Sequence, residues 1–169
     1  MEYPPWMVED FQLTPASYIP EKARLQRYGE QLLSSGRVGV VFLAGGVGSR
    51  VGGLLPKTCQ TIPSLGKSSL RHLYDSVSTD CPVAVMVSDD TRDVVEAELG
   101  TVPDYFPQES VPCYDESGDL WGIAPSGHGA VYTALQESGI LEKWSEDYVD
   151  YVIISLSDNP AMQVADPLF

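Results

Sequence analysis

The sequence predicts an α/β fold: three layers, α/β/α, built on a mostly parallel central sheet in a Rossmann-like arrangement. Three observations predict it. Val38–Leu43, Pro82–Val87 and Tyr151–Leu156 are short, unbroken apolar runs, the pattern of strands buried on both faces. Helix-like stretches separate them, and alternating strands and helices place helices on both sides of a parallel sheet. A glycine-dense segment follows the first run directly: five of the nine residues Gly45–Gly53 are glycine. In such folds ligands sit at the carboxyl ends of strands.

The elements follow in order. Residues 1–20 hold four prolines among scattered aromatics and read as an irregular extension, leaving 21–169 as one α/β domain. From Glu21 the pattern turns helical, with Leu25, Tyr28 and Leu32 on one face and a stop at Ser34-Ser35-Gly36. The first strand and glycine loop come next, and His72 falls in a helix-like stretch beyond them. After the second strand, Asp89-Asp90 is expected to cap a helix over Thr91–Leu99. Asp104–Gln108 and Val111–Cys113 read as short strands. Ala130–Ser138 and Leu141–Ser145 read as helices leading into the third buried strand.

Composition narrows the function. The 169 residues carry a net charge of −14 and 43% hydrophobic residues, enough for one packed domain. The acidity argues against a general nucleic-acid binder. No apolar run reaches the ~20 residues of a membrane span. Met1-Glu2-Tyr3-Pro4-Pro5 lacks the features of a secretory leader, and Cys59, Cys81 and Cys113 suit a reducing cytoplasmic setting better than a disulfide framework. Charge is unevenly spread. Residues 1–71 carry a net +3, and residues 72–169 a net −17. A fold packing these halves together is expected to set a small cationic pocket in an acidic body; the plainer reading of the charge is solubility.

The glycine loop needs a reason, because glycine costs backbone entropy. Bare backbone admits close ligand approach, and successive N–H groups can face anionic oxygens. Arg50 adds a planar fork for phosphate and Lys57 a compact charge. Neither common phosphate motif fits. A dinucleotide fingerprint from Gly46 would need glycine where Val51 stands, and a Walker loop would need lysine where Leu54 follows Gly53.

The segment Leu43-Ala44-Gly45-Gly46-Val47-Gly48-Ser49-Arg50-Val51-Gly52, with Pro56-Lys57 beyond it, resembles the signature of UTP-dependent sugar-1-phosphate uridylyltransferases. That family comprises the UDP-N-acetylhexosamine, UDP-glucose and UDP-sugar pyrophosphorylases. Three later blocks extend the resemblance: Phe106-Pro107-Gln108, Pro125-Ser126-Gly127-His128-Gly129 before an apolar helix, and Ser157-Asp158 through Ala165-Asp166-Pro167. Val47 and Ala130 depart from residues common in the family.

The resemblance implies a nucleotidyltransferase fold, incomplete at its C-terminal end, with a further C-terminal half missing. It implies transfer of UMP from UTP to a sugar 1-phosphate with release of pyrophosphate, assisted by Mg²⁺. Leu43, Gly45, Gly46 and Gly48 would hold the nucleotide, Gln108 and Gly127 would read the base, and His128 would lie near the ribose or sugar phosphate. Arg50 and Lys57 would be catalytic, and Asp158 would hold the metal. Each residue also has a plainer reading: Gln108 as a loop amide, His128 as a turn residue, Asp158 as a helix cap. A nucleotide-binding module without turnover is the alternative function, and a GTP- or CTP-dependent transferase is a third.

Overall fold

The computed structural model describes residues 21–48 and 55–168. Among the described residues, five α-helices and eight strands run α1 (Lys22–Ser34), β1 (Val38–Leu43), β2 (Thr61–Ile62), β3 (Lys67–Ser68), α2 (Ser69–Ser76), β4 (Val83–Val87), α3 (Arg92–Leu99), β5 (Asp104–Pro107), β6 (Ser110–Tyr114), β7 (Leu120–Pro125), α4 (Val131–Glu137), α5 (Ile140–Glu146) and β8 (Tyr151–Leu156). The expected extension over residues 1–20 lies outside the described residues.

The main sheet has the order β5-β4-β1-β8, and each pairing in it is parallel. Strand alternation divides its side chains between two cores. Val38, Val40 and Phe42 of β1, with Val85 and Val87 of β4, pack with Leu70, Leu73, Val95 and Leu99 of α2 and α3. Val41 and Leu43, with Ala84, Met86 and Phe106, pack with Val131, Ala134, Leu135, Ile140 and Trp144 of α4 and α5. β1 and β4, buried on both faces, cannot alternate apolar with polar, which explains their unbroken apolar runs. Tyr151–Leu156, expected to be buried likewise, is instead the edge strand β8, with Tyr151, Val152 and Leu156 exposed because only β1 flanks it. At Gly39 the sheet comes so close to α5 that a Cβ would fall 2.3 Å from Trp144 Cζ3.

From β1 the chain moves outward to β4 and β5, then returns to the other side of β1 as β8. The β1–β8 boundary is therefore a topological switch point, where parallel sheets open a crevice for ligands. The loops that matter for function leave from the carboxyl ends of β1 and β8.

One cap needs correction, and one strand is added. Asp89-Asp90 does not cap α3. Thr91 precedes the helix, and its Oγ1 accepts the Ser88 N–H at 3.1 Å instead of an N–H of the helix. The segment Leu120–Pro125, left unassigned in the sequence, is a strand pairing antiparallel with β6. Its turn is closed by Asp115, whose Oδ1 accepts the N–H groups of Ser117 at 2.9 Å and Asp119 at 3.0 Å.

Candidate functional site

The site is built from the carboxyl end of β1 outward. Leu43 ends the strand, Ala44 N–H continues the ladder to Met86 O at 2.9 Å, and the glycine loop begins at Gly45. Gln108 follows β5, held by its backbone N–H to Val87 O at 2.7 Å. It is only 7% exposed. Its Nε2 donates to Gly127 O at 3.1 Å, and its Oε1 lies where a Cβ on Gly45 would be 2.0 Å away. Only a residue without a side chain lets the amide rest against the loop. Gly127 has φ 86 and ψ 179, a conformation open essentially to glycine alone. Three separate sequence blocks thus meet at one point: the β1 loop, the end of β5 and the turn before α4.

Lys57 and Asp158 form the charged part. Lys57 opens a short 3₁₀ turn, Lys57–Cys59, and Asp158 follows β8. Lys57 Nζ donates to Asp158 Oδ2 at 2.9 Å, with the two side chains 45% and 42% exposed. A Cβ at Gly48 would fall 2.7 Å from Lys57 Cβ, so the described end of the loop lies beside this pair.

Two serines set the geometry, and the sequence reading missed both. Ser69 Oγ, at the start of α2, donates to Ser157 O at 2.8 Å and approaches Thr58 O at 3.3 Å. It ties the residue after Lys57 to the residue before Asp158. Ser157 Oγ donates to Leu43 O at 2.5 Å, joining the ends of β8 and β1. Both serines are buried. The signal available in the sequence was slight: serine is common, and these bonds span 88 and 114 positions.

Of the expected site residues, the structure gathers Leu43, Gly45, Gln108 and Gly127 on one side and Gly48, Lys57 and Asp158 on the other. Gly46 lies between, with no heavy atom within 4 Å of a Cβ built on it. His128 is exposed in the turn His128–Ala130 directly after Gly127. Arg50 lies outside the described residues. Among the described residues, several cations of the N-terminal half are paired with carboxylates: Arg37 meets Asp150, Lys57 meets Asp158, and Lys67 and Arg71 share Asp75. A cleft of about 700 Å³ lies at the opposite, amino end of the sheet, lined by Tyr74, Asp80, Asp104 and Asp147 among others, and contains none of these site residues.

Among the described residues no group of three or more His, Cys, Asp or Glu side chains could hold a metal. A protein cage is therefore not what these residues offer. A single carboxylate at a phosphate site suits magnesium, which commonly takes one or two carboxylates and completes its shell with phosphate oxygens and water. Asp158 fits that pattern.

Comparison with known proteins agrees with this fold. The profile of the family described as UTP--glucose-1-phosphate uridylyltransferase matches residues 7–168. UDP-N-acetylglucosamine diphosphorylase 2 of Arabidopsis thaliana is 30% identical over 88% of the chain and 37% of the relative. UDP-N-acetylglucosamine pyrophosphorylase of Saccharomyces cerevisiae is 28% identical over 96% of the chain and 41% of the relative. Among solved structures, the chain is similar to the uridine diphosphate N-acetylglucosamine pyrophosphorylase of Trypanosoma brucei, in complex with an inhibitor. The TM-score is 0.76 at 25% identity, covering 88% of this chain and 37% of that one. A second similar structure, from Entamoeba histolytica, gives a TM-score of 0.70 at 26% identity, covering 89% and 46%. The chain thus spans about two fifths of the length of the curated relatives it matches.

Proposed function

Because the chain belongs to the UTP--glucose-1-phosphate uridylyltransferase family, we propose that it supplies the nucleotide-binding part of a UDP-sugar pyrophosphorylase, in a cytoplasmic setting. In the proposed reaction an oxygen of a sugar 1-phosphate attacks the α-phosphorus of UTP. The bond from that phosphorus to the bridging oxygen breaks, pyrophosphate leaves, and a UDP-sugar forms. The observation that carries this reading is that the Gln108–Gly45–Gly127 contact and the Lys57–Asp158 pair flank one glycine loop at the carboxyl end of β1, Gly45 touching the first and Gly48 lying against Lys57 of the second.

The chemistry asks for positioning and charge neutralisation, since two polyanions must be brought in line. Gln108 and Gly127 would present amide groups to the uracil edge, and the backbone of Leu43, Gly45, Gly46 and Gly48 would carry the nucleotide. Lys57, with Arg50, would hold the triphosphate and the charge growing on the leaving pyrophosphate. His128, exposed beside Gly127, would face the ribose or sugar phosphate. Asp158 would hold Mg²⁺, which when bound supplies charge neutralisation across the phosphates.

A second reading is a nucleotide-binding module that does not turn over, since the Gln108–Gly127 contact and the Lys57–Asp158 pair would serve binding alone equally well. Incubation with UTP, Mg²⁺ and a panel of sugar 1-phosphates separates the two. UDP-sugar and pyrophosphate formation supports the enzyme, and saturable UTP binding without product supports the module. A chain that binds neither UTP nor any other nucleoside triphosphate refutes both.

A further inference from the structure

The groups proposed for metal and for phosphate are bonded to each other. Lys57 Nζ and Asp158 Oδ2 are 2.9 Å apart, and no ligand is needed to explain the contact. Their backbones are fixed by the same buried hydroxyl, Ser69 Oγ, through Thr58 O and Ser157 O. The two side chains cannot drift apart freely at their roots, and each is the other's ready counter-ion.

From this geometry we infer that the Lys57–Asp158 ion pair is a latch that makes cation and anion binding mutually dependent. The inference rests on the proposed reading of the site as one for a metal-assisted nucleotide. A triphosphate arriving alone must draw Lys57 away from Asp158 and leave a bare carboxylate beside the incoming anion. A divalent cation arriving alone must take Asp158 from Lys57 and leave an uncompensated ammonium. Arriving together, each ligand takes the partner that the other releases. The coupling is reciprocal by thermodynamic necessity: whatever factor the cation adds to triphosphate affinity, the triphosphate adds to cation affinity. The pair is half exposed, so the latch itself is worth about two- to fivefold, the range of solvent-facing ion pairs.

The test is a double-mutant cycle read by calorimetric binding, independent of turnover. UTP is titrated in EDTA into the wild type, Asp158→Asn, Lys57→Met and the double variant. The expected result is counter-intuitive. Removing the proposed metal ligand tightens metal-free UTP, and tightens it about two- to fivefold more when Lys57 is present than in the Lys57→Met background. Equal gains in both backgrounds would mean that only phosphate–carboxylate repulsion was relieved, and would overturn the latch. So would no gain at all. In the reciprocal arm, Mn²⁺ without nucleotide binds Lys57→Met more tightly than the wild type; an unchanged or weaker affinity overturns the inference. UTP with Mg²⁺ on the wild type tells the two failures apart. Binding there without the cycle's asymmetry defeats the latch alone, whereas no binding there defeats the nucleotide reading beneath it. Both side chains are half exposed, so the variants are expected to fold.

Discussion

A Cβ on Gly45 would meet the Gln108 carboxamide oxygen at 2.0 Å, so Gly45→Ala pushes the amide off the loop and strains its bond to Gly127 O. Loss of one such bond predicts a fall in Mg²⁺–UTP affinity of about tenfold, measured calorimetrically. Under the proposed function Lys57 would contribute differently, its charge mattering most as pyrophosphate departs. Lys57→Ala is expected to lower kcat by about 2–4 kcal/mol of transition-state stabilisation, and a variant within threefold of the wild type refutes the assigned role. These side chains were legible in the sequence because glycine density, Pro-Lys spacing and a strand-end carboxylate are written locally. Ser69 and Ser157 were not, since a hydroxyl that clasps carbonyls 88 and 114 positions away leaves no local mark.

Among the elements, β1 is the most constrained. Its residues Val38–Leu43 are buried without exception, and Gly39 is pressed against the Trp144 ring. Gly39→Ala would overpack that contact and destabilise the domain by about 1–3 kcal/mol, visible as a lower urea midpoint. Strand β5 predicts an alkaline limit. Burial pushes the Tyr105 phenol up to about 12, aided by Glu96 and Tyr74, and its hydroxyl donates to Gly100 O at 2.6 Å. An unfolded phenol titrates near 10. Between about pH 10 and 12 the folded chain therefore binds more protons than the unfolded one. Stability from this group is complete below the unfolded value and declines as pH rises toward 12. Tyr105→Phe should flatten that decline in denaturation curves taken from pH 9 to 12, leaving the smaller slope from the Cys59 and Cys81 thiols, which burial also raises. The central strands were legible because burial on both faces forces continuous apolar runs. Strand β6 was legible as Val111–Cys113, but its partner β7 was not, because Trp121 and Ile123 are 81% and 74% exposed and break the rule that apolar alternation faces a core.

At the scale of the molecule, the two cores share a single sheet, and β1 contributes side chains to both. Neither layer of helices can leave without exposing the opposite face of the same strands. Unfolding should therefore be one cooperative step, with far-ultraviolet circular dichroism and Trp144 fluorescence giving coincident midpoints in urea. Separated midpoints would show the α4–α5 layer detaching on its own. The layered architecture, with the carboxyl ends of its strands as the place for ligands, followed from strand–helix alternation; the switch of direction after β5 did not. The pairing of Lys57 with Asp158 did not follow either, because charge counts along a chain say nothing of which opposite charges the fold brings together. The indole that fills the notch above Gly39 has a practical consequence. Trp144 is 1% exposed and Trp121 is 81% exposed, so in a Trp6→Phe background the protein carries one lamp indoors and one outdoors. Acrylamide should extinguish the red-shifted outer emission and spare the blue inner one, giving an unlabelled optical readout in which motion of the ribbon and integrity of the scaffold appear as separate colours.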